Sequence, residues 1–148
     1  MRNIKFRGKI KDKKRAKELG LKVGDWVYGY FFHDEGLTFY NGKTKRFDKY
    51  YIINTPYIEE YIEIIPETLG QYTGLKDRNM KEIYEGDIVK VFTNKEWRIG
   101  KIIYEHSEFT IDVTNNKDLE YGITSIIGNL TEVIGNIYDN PELLEEGE

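Results

Sequence analysis

Apolar and polar positions alternate with a period of two along most of the chain, the pattern of strands buried on one face. Ile4-Lys5-Phe6-Arg7 alternates apolar and basic residues and predicts a first strand with one wet face. Residues 25–32 predict a second strand and 37–40 a third, with Asp34-Glu35-Gly36 read as the turn between them. Asn41-Gly42 is another turn signal, and 49–53 reads as a strand ended by Asn54-Thr55-Pro56. Ile58, Ile62 and Ile65 have helical spacing, but 61–65 also suits a strand before Pro66, and strand is preferred. Residues 86–92 and 97–104 pair as a hairpin around Asn94-Lys95. The clean alternation of 108–113 follows, then short strands at 125–127 and 132–134.

Helix signals are few. Between Lys11 and Gly20, Asp12 can cap a helix N-terminus and Gly20 can sit just past its end. Lys13, Lys14 and Arg15 would then occupy a first turn that disfavours cations, so a mobile basic loop competes. Asn140-Pro141 opens a helical turn over 141–144, and the acidic tail after it is expected to fray. Gly24-Asp25-Trp26-Val27 echoes Gly86-Asp87-Ile88-Val89. No repeat period links the two, and the simpler reading is that Gly-Asp starts strands well.

Composition sharpens this into a fold class. The 148 residues include 19 Ile, 6 Val and 12 Tyr, but only one Ala and no Cys. A helical bundle with a single Ala is improbable, whereas Ile, Val and Tyr are what pleated surfaces select. The expectation is a mostly β protein, a small barrel or roll with additional strands and short helical segments, as one domain or two small ones. The lack of Cys disfavours a disulfide scaffold, a thiol enzyme and a Cys-ligated zinc site. No apolar run of about 18 residues is present and the N-terminus lacks an apolar signal core, so no membrane association and a cytoplasmic location are expected.

Charge changes the picture. Residues 1–22 carry ten Lys/Arg against Asp12 and Glu18, while the remaining 126 carry 12 basic and 24 acidic residues. Such polarity suits nucleic-acid contact through Lys9, Lys11, Lys13, Lys14, Arg15 and Lys17, or self-association through complementary patches, or simply a solvated loop. Aromatic residues among the cations point the same way: Phe6 lies among Lys5, Arg7 and Lys9, and Tyr50-Tyr51 follow Lys43, Lys45, Arg46 and Lys49. Aromatics filling a β core compete with that reading.

Catalytic signatures are missing. His33 and His106 are far apart in sequence, although His106 with Asp112 is an imaginable pair. Glu59, Glu60, Glu63 and Glu67 form one carboxylate cluster, and Asp77, Glu82, Glu85 and Asp87 another, without metal-loop spacing. An enzyme with a carboxylate site is the weakest alternative, and no cofactor or metal is expected.

The densest punctuation lies in Gln71-Tyr72-Thr73-Gly74-Leu75-Lys76-Asp77 and Lys81-Glu82-Ile83-Tyr84-Glu85-Gly86-Asp87-Ile88-Val89. These blocks strongly resemble the YopX family of small proteins from phages and prophages of Gram-positive bacteria. Ile4-Lys5-Phe6-Arg7-Gly8 resembles the family's opening, Trp26-Val27-Tyr28-Gly29-Tyr30 its second strand, and 133–144 its close. Two departures stand out. Met80 occupies a position usually Gly in the family, so the strain of a positive φ is expected to fall on Asn79. Residues 9–24 look like an expanded connection.

The resemblance implies a β fold with an SH3-type barrel, divided as an N-terminal β region over 1–70 and a C-terminal barrel over 71–148. It also implies self-association, and brings no catalytic residues. On this basis the chain reads as a phage-encoded, non-enzymatic, homo-oligomeric interaction module, with phage or host proteins as partners. Exposed Tyr72, Asp77 and Tyr84 would form its contact surface, unless the segment is scaffold.

Overall fold

The computed structural model describes residues 4–54, 61–114, 120–122 and 130–145. They form two compact units, Ile4–Gln71 and Tyr72–Glu148. Both are antiparallel β structures. Among the described residues no helix is long and apolar enough to cross a membrane.

In the N-terminal unit the sheet order is β4 (Tyr61–Ile64), β3 (Lys43–Ile53), β2 (Trp26–Tyr40), β1 (Phe6–Lys9), and then the start of β5 (Gly70–Lys76). One face is core. Ile10, Val27, Ile52, Ile62 and Ile64 pack there with Ala16, flanked by Phe6, Leu21, Tyr50 and Leu69. Ala16 comes from α1 (Lys13–Glu18), so the basic segment is ordered by a single buried methyl and two good caps. At its start the Arg15 N–H donates to Asp12 Oδ1 at 2.8 Å. At its end Gly20 takes φ +71, Gly20 N–H donates to Lys17 O, and Leu21 N–H donates to Ala16 O at 2.8 Å. That paired closure around a left-handed Gly is the Schellman arrangement. The caps outweigh the unfavourable cations of the first turn, and the competing mobile loop is not what forms.

Residues 34–36 correct the sequence reading. They are not a turn: β2 runs unbroken through them and pairs with β3 from Tyr30↔Ile53 to Tyr40↔Lys43. Gly36 lies opposite Phe47, and a Cβ at 36 would stand 2.8 Å from the Phe47 ring. The glycine makes room for a cross-strand aromatic rather than reversing the chain. The reversal comes at Asn41-Gly42, with φ of 50° and 70°. Two positive φ values in a two-residue loop match the twist of a hairpin.

The C-terminal unit contains a five-stranded sheet of order β10 (Glu120–Gly122), β9 (Glu108–Val113), β8 (Glu96–Glu105), β7 (Asp87–Thr93), β11 (Thr131–Asn136). The expected hairpin around Asn94-Lys95 is present, both residues having positive φ. Val89, Val91, Ile102, Phe109, Ile111 and Val113 form its core with Ile83 of β6 (Glu82–Tyr84). The expected mostly β fold is found, and among the described residues no pairing between the edge strands β10 and β11 closes this sheet. The turn at 141–144 is a single 3-10 turn behind Asn140. The strand expected at 125–127 and the end of the tail lie outside the described residues.

The Gly-Asp echo is one device used twice. Gly24 and Gly86 take φ of +91° and +87°. The Asp25 carboxylate accepts the Lys22 N–H at 2.9 Å, and the Asp87 carboxylate accepts the Tyr84 N–H at 2.8 Å. Each aspartate thus satisfies the amide three residues back as a new strand begins.

A candidate interaction face

The sequence-predicted contact residues Tyr72, Asp77 and Tyr84 are all buried, which corrects the expectation that they are exposed. Asp77 is 3% exposed and organises the turn between β5 and β6. Its Oδ1 accepts the N–H groups of Asn79 at 2.8 Å and Lys81 at 2.9 Å, and its Oδ2 accepts Val133 N–H of β11 at 2.9 Å. Tyr72 and Tyr84 face each other across β5 and β6 with ring centroids 5.5 Å apart. Thr73 Oγ1 donates to Ile83 O and accepts Leu75 N–H beside them. The polar side chains of Thr73, Asp77 and Asp87 in the central motif are thus engaged by backbone groups rather than presented to a partner. The positive φ of its turn falls on Met80 itself, at +66°, and not on Asn79. Met80 is 71% exposed, so its side chain contributes little packing to offset that strain. Met80→Gly is therefore expected to stabilise the C-terminal unit by about 0.5–1 kcal/mol, the left-handed penalty less the extra entropy of an unfolded glycine. Urea melts of the two proteins check it.

The six basic candidates fall in three settings. Lys9 lies on β1, 5.3 Å from the centre of the Trp26 ring, and Lys11 pairs with Glu63 at 3.8 Å. Arg15 pairs with Glu18 at 3.1 Å, leaving Lys13, Lys14 and Lys17 exposed on α1. Asp77 and Asp87 are taken by amides, and Glu59 and Glu60 lie outside the described residues. His106 sits exposed in the turn between β8 and β9, as a surface histidine would. The one group of three ligand-type side chains among the described residues is His33, Glu35 and Asp48, all exposed on the β2–β3 hairpin. His33 Nε2 lies 2.5 Å from Asp48 Oδ1, and Glu35 is engaged by Arg46 at 3.1 Å.

What the sequence reading missed is the open face of the N-terminal sheet. Alternation sends Val27 to the core, and Tyr28, Tyr30 and Phe32 to the opposite side. Register adds Ile53 beside Tyr30, Tyr51 beside Phe32, and Tyr61 beside Ile53. Tyr28, Tyr30, Phe32 and Tyr61 are exposed, Tyr30 by 66%. Tyr51 is held between two rings, stacked on Phe32 at 6.1 Å and edge-on to Tyr61 at 5.0 Å. Phe32, Asp34, Tyr51, Ile53 and Tyr61 line a cavity of about 330 Å³. Burial pushes the Tyr51 phenol above its ordinary value; Lys49 opposes this, while Glu63, Asp34 and Tyr61 reinforce it. The cavity wall therefore stays an uncharged phenol through neutral pH. The signal for this face was in the sequence: 26–32 is apolar at both phases of the alternation, more than a one-faced strand needs.

Beyond this face, β2 and β3 continue as an arm. β1 pairs only with Trp26 to Gly29, and β4 only with Tyr50 to Ile53. From Asp34↔Lys49 to Tyr40↔Lys43 the hairpin pairs with no third strand among the described residues. Its tip carries Leu37, Phe39 and Tyr40, the last two 77% and 79% exposed.

Residues 26–145 match the family model described as YopX protein. The chain belongs to the YopX family. This YopX-family chain is also similar in fold to a solved structure, the crystal structure of protein EF1440 from Enterococcus faecalis, at 24% identity and a TM-score of 0.50. The match covers 97% of this chain and 99% of that one, and it concerns the fold alone. A comparison of the YopX-family chain with curated proteins finds no match.

Proposed function

We propose that this YopX-family protein is a non-enzymatic interaction module that recognises another polypeptide on the open aromatic face of its N-terminal unit. The observation that carries the reading is the exposure of Tyr28, Tyr30, Phe32 and Tyr61 on one side of a sheet whose other side is core. Contiguous exposed apolar surface marks interaction sites, and Tyr is favoured at such contacts because it offers area at low entropic cost. The partner is a phage or host protein, a second copy of this chain included, consistent with the phage setting and the self-association that the family resemblance implies. The same reading takes the C-terminal unit as the scaffold, an SH3-type roll around the buried Asp77 turn.

The nucleic-acid alternative has weaker support, since the basic candidates split between β1, an ion pair with Glu63 and the short helix α1. The two readings separate in one experiment. Tagged full-length protein is recovered from host cells carrying induced phage, with half of the lysate treated with nuclease, beside the variant Tyr30→Ser/Tyr61→Ser. A polypeptide that survives nuclease and is lost from the variant is the expected result, with unchanged circular dichroism showing the variant folded. A partner lost on digestion, or one indifferent to the variant, overturns the reading.

A further inference from the structure

The open face and the arm are complementary to each other, and the relation has twofold symmetry. Along β2 the same-face series is Phe32, Asp34, Gly36, Thr38, Tyr40, and along β3 it is Tyr51, Lys49, Phe47, Lys45, Lys43. Both series are centred on the Gly36↔Phe47 pair. The aromatic cavity lies at one end, with the carboxylates of Asp34 and Glu63 beside it. At the other end stand Tyr40, Lys43 and Lys45, an aromatic ring with cations and no carboxylate. One arm cannot fold back onto its own base, because the two ends are eight residues apart on a straight strand, about 26 Å at strand rise. A second copy laid face to face and antiparallel meets no such limit.

We propose that the occupant of the open face is the arm of a second copy of this chain, exchanged reciprocally about a twofold axis through Gly36 and Phe47. This rests on the reading of that face as a polypeptide-binding surface. With the axis there, Tyr40 of each copy falls over Phe32 of the other, at the mouth of the cavity. A cavity of about 150 Å³ takes up benzene, so about 330 Å³ has room for a tyrosyl ring. Lys43 falls over Tyr51, where it meets a ring face and the neighbouring Glu63, while Thr38 falls over Asp34 and Lys45 over Lys49, with the Asp34 carboxylate diagonal to it. At the axis, Gly36 leaves the space that the Phe47 ring lies against, keeping the surface low where the two arms cross. A two-stranded ribbon is marginal alone in water, and the second arm supplies the layer that this one lacks. An isologous contact of this kind closes at two subunits.

The test is sedimentation velocity on the purified full-length protein across a wide concentration range. A reversible dimer is expected. Tyr40→Glu, at an exposed tip position, weakens it about tenfold or more, which is about 1.4 kcal/mol. Lys43→Glu weakens it too, and Lys43→Glu/Glu63→Lys in one chain recovers most of the loss, which a merely structural role for Lys43 would not produce. Glu63→Lys also removes the 3.8 Å pair with the exposed Lys11, a long contact worth little on its own. A dimer indifferent to Tyr40→Glu overturns the arm exchange. A protein monomeric at every concentration overturns the second copy as occupant, while the aromatic face as a binding surface is judged separately by the Tyr30→Ser/Tyr61→Ser capture.

Discussion

Asp77→Ala is expected to destabilise the C-terminal unit by about 4 kcal/mol. A charge-assisted hydrogen bond contributes about 1.5–3 kcal/mol and a buried donor left unpaired costs about 1–3 kcal/mol, with sums that fall short of additivity. Here one carboxylate accepts three backbone N–H groups, and one of them, Val133, lies 56 positions away on β11. The substitution therefore loosens a turn and a strand together. Asp77→Asn keeps an acceptor for Asn79 and Lys81 but turns an N–H₂ group toward Val133, and about half the loss is expected. Urea melts followed on the C-terminal unit measure both. Self-association should be unchanged wherever the variant is folded. A loss below about 1 kcal/mol, with association impaired, would return this segment to the role of a contact surface.

Gly29→Ala is the second large effect, in the other unit. Gly29 is the last residue of β2 paired with β1, opposite Phe6, and Tyr30 is the first paired with β3. A Cβ at Gly29 would fall on the Ile53 carbonyl oxygen and stand 2.9 Å from Asn54 Cα. Both are backbone, so neither can swing away, and a cost of about 3 kcal/mol or more follows. Gly42→Ala is the matched control. It has φ +70 but open space around the position, so only the left-handed penalty of about 1 kcal/mol applies. Comparable losses at the two positions, read from thermal melts, would remove close approach as the reason for Gly29.

Much of this architecture was legible where a residue acts on its own neighbours. Asp12 and Gly20 bracket a helix, Asn94-Lys95 turns a hairpin, and Gly-Asp opens β2 and β7, because each device closes within a few positions. Asp77 was legible as a turn residue for the same reason. Its bond to Val133 was not, since nothing local records which distant amide a second carboxylate oxygen will take. Gly36 misled because a glycine after two acidic residues looks the same whether it turns the chain or accommodates Phe47. Met80 misled because a positive φ was assigned to the residue type that tolerates it best, whereas the hydrogen bonds of Asp77 decide the position. The aromatic face needed register. Tyr51 and Tyr61 join Phe32 only once β2, β3 and β4 are paired, and exposure depends on what a face lacks opposite it.

The aspartates that accept backbone N–H groups also separate what the chain's charge does at a distance from what it does at contact. Asp12, Asp25, Asp77 and Asp87 count fully in the formal net charge of -4. Asp77 and Asp87 are buried, each facing the positive ends of peptide dipoles, so neither carboxylate can meet a partner's cation. Both still add to the net charge felt at long range, but they offer no ion pair at contact. Charge counts along the chain are therefore a poor chart of where an oppositely charged surface will come to rest.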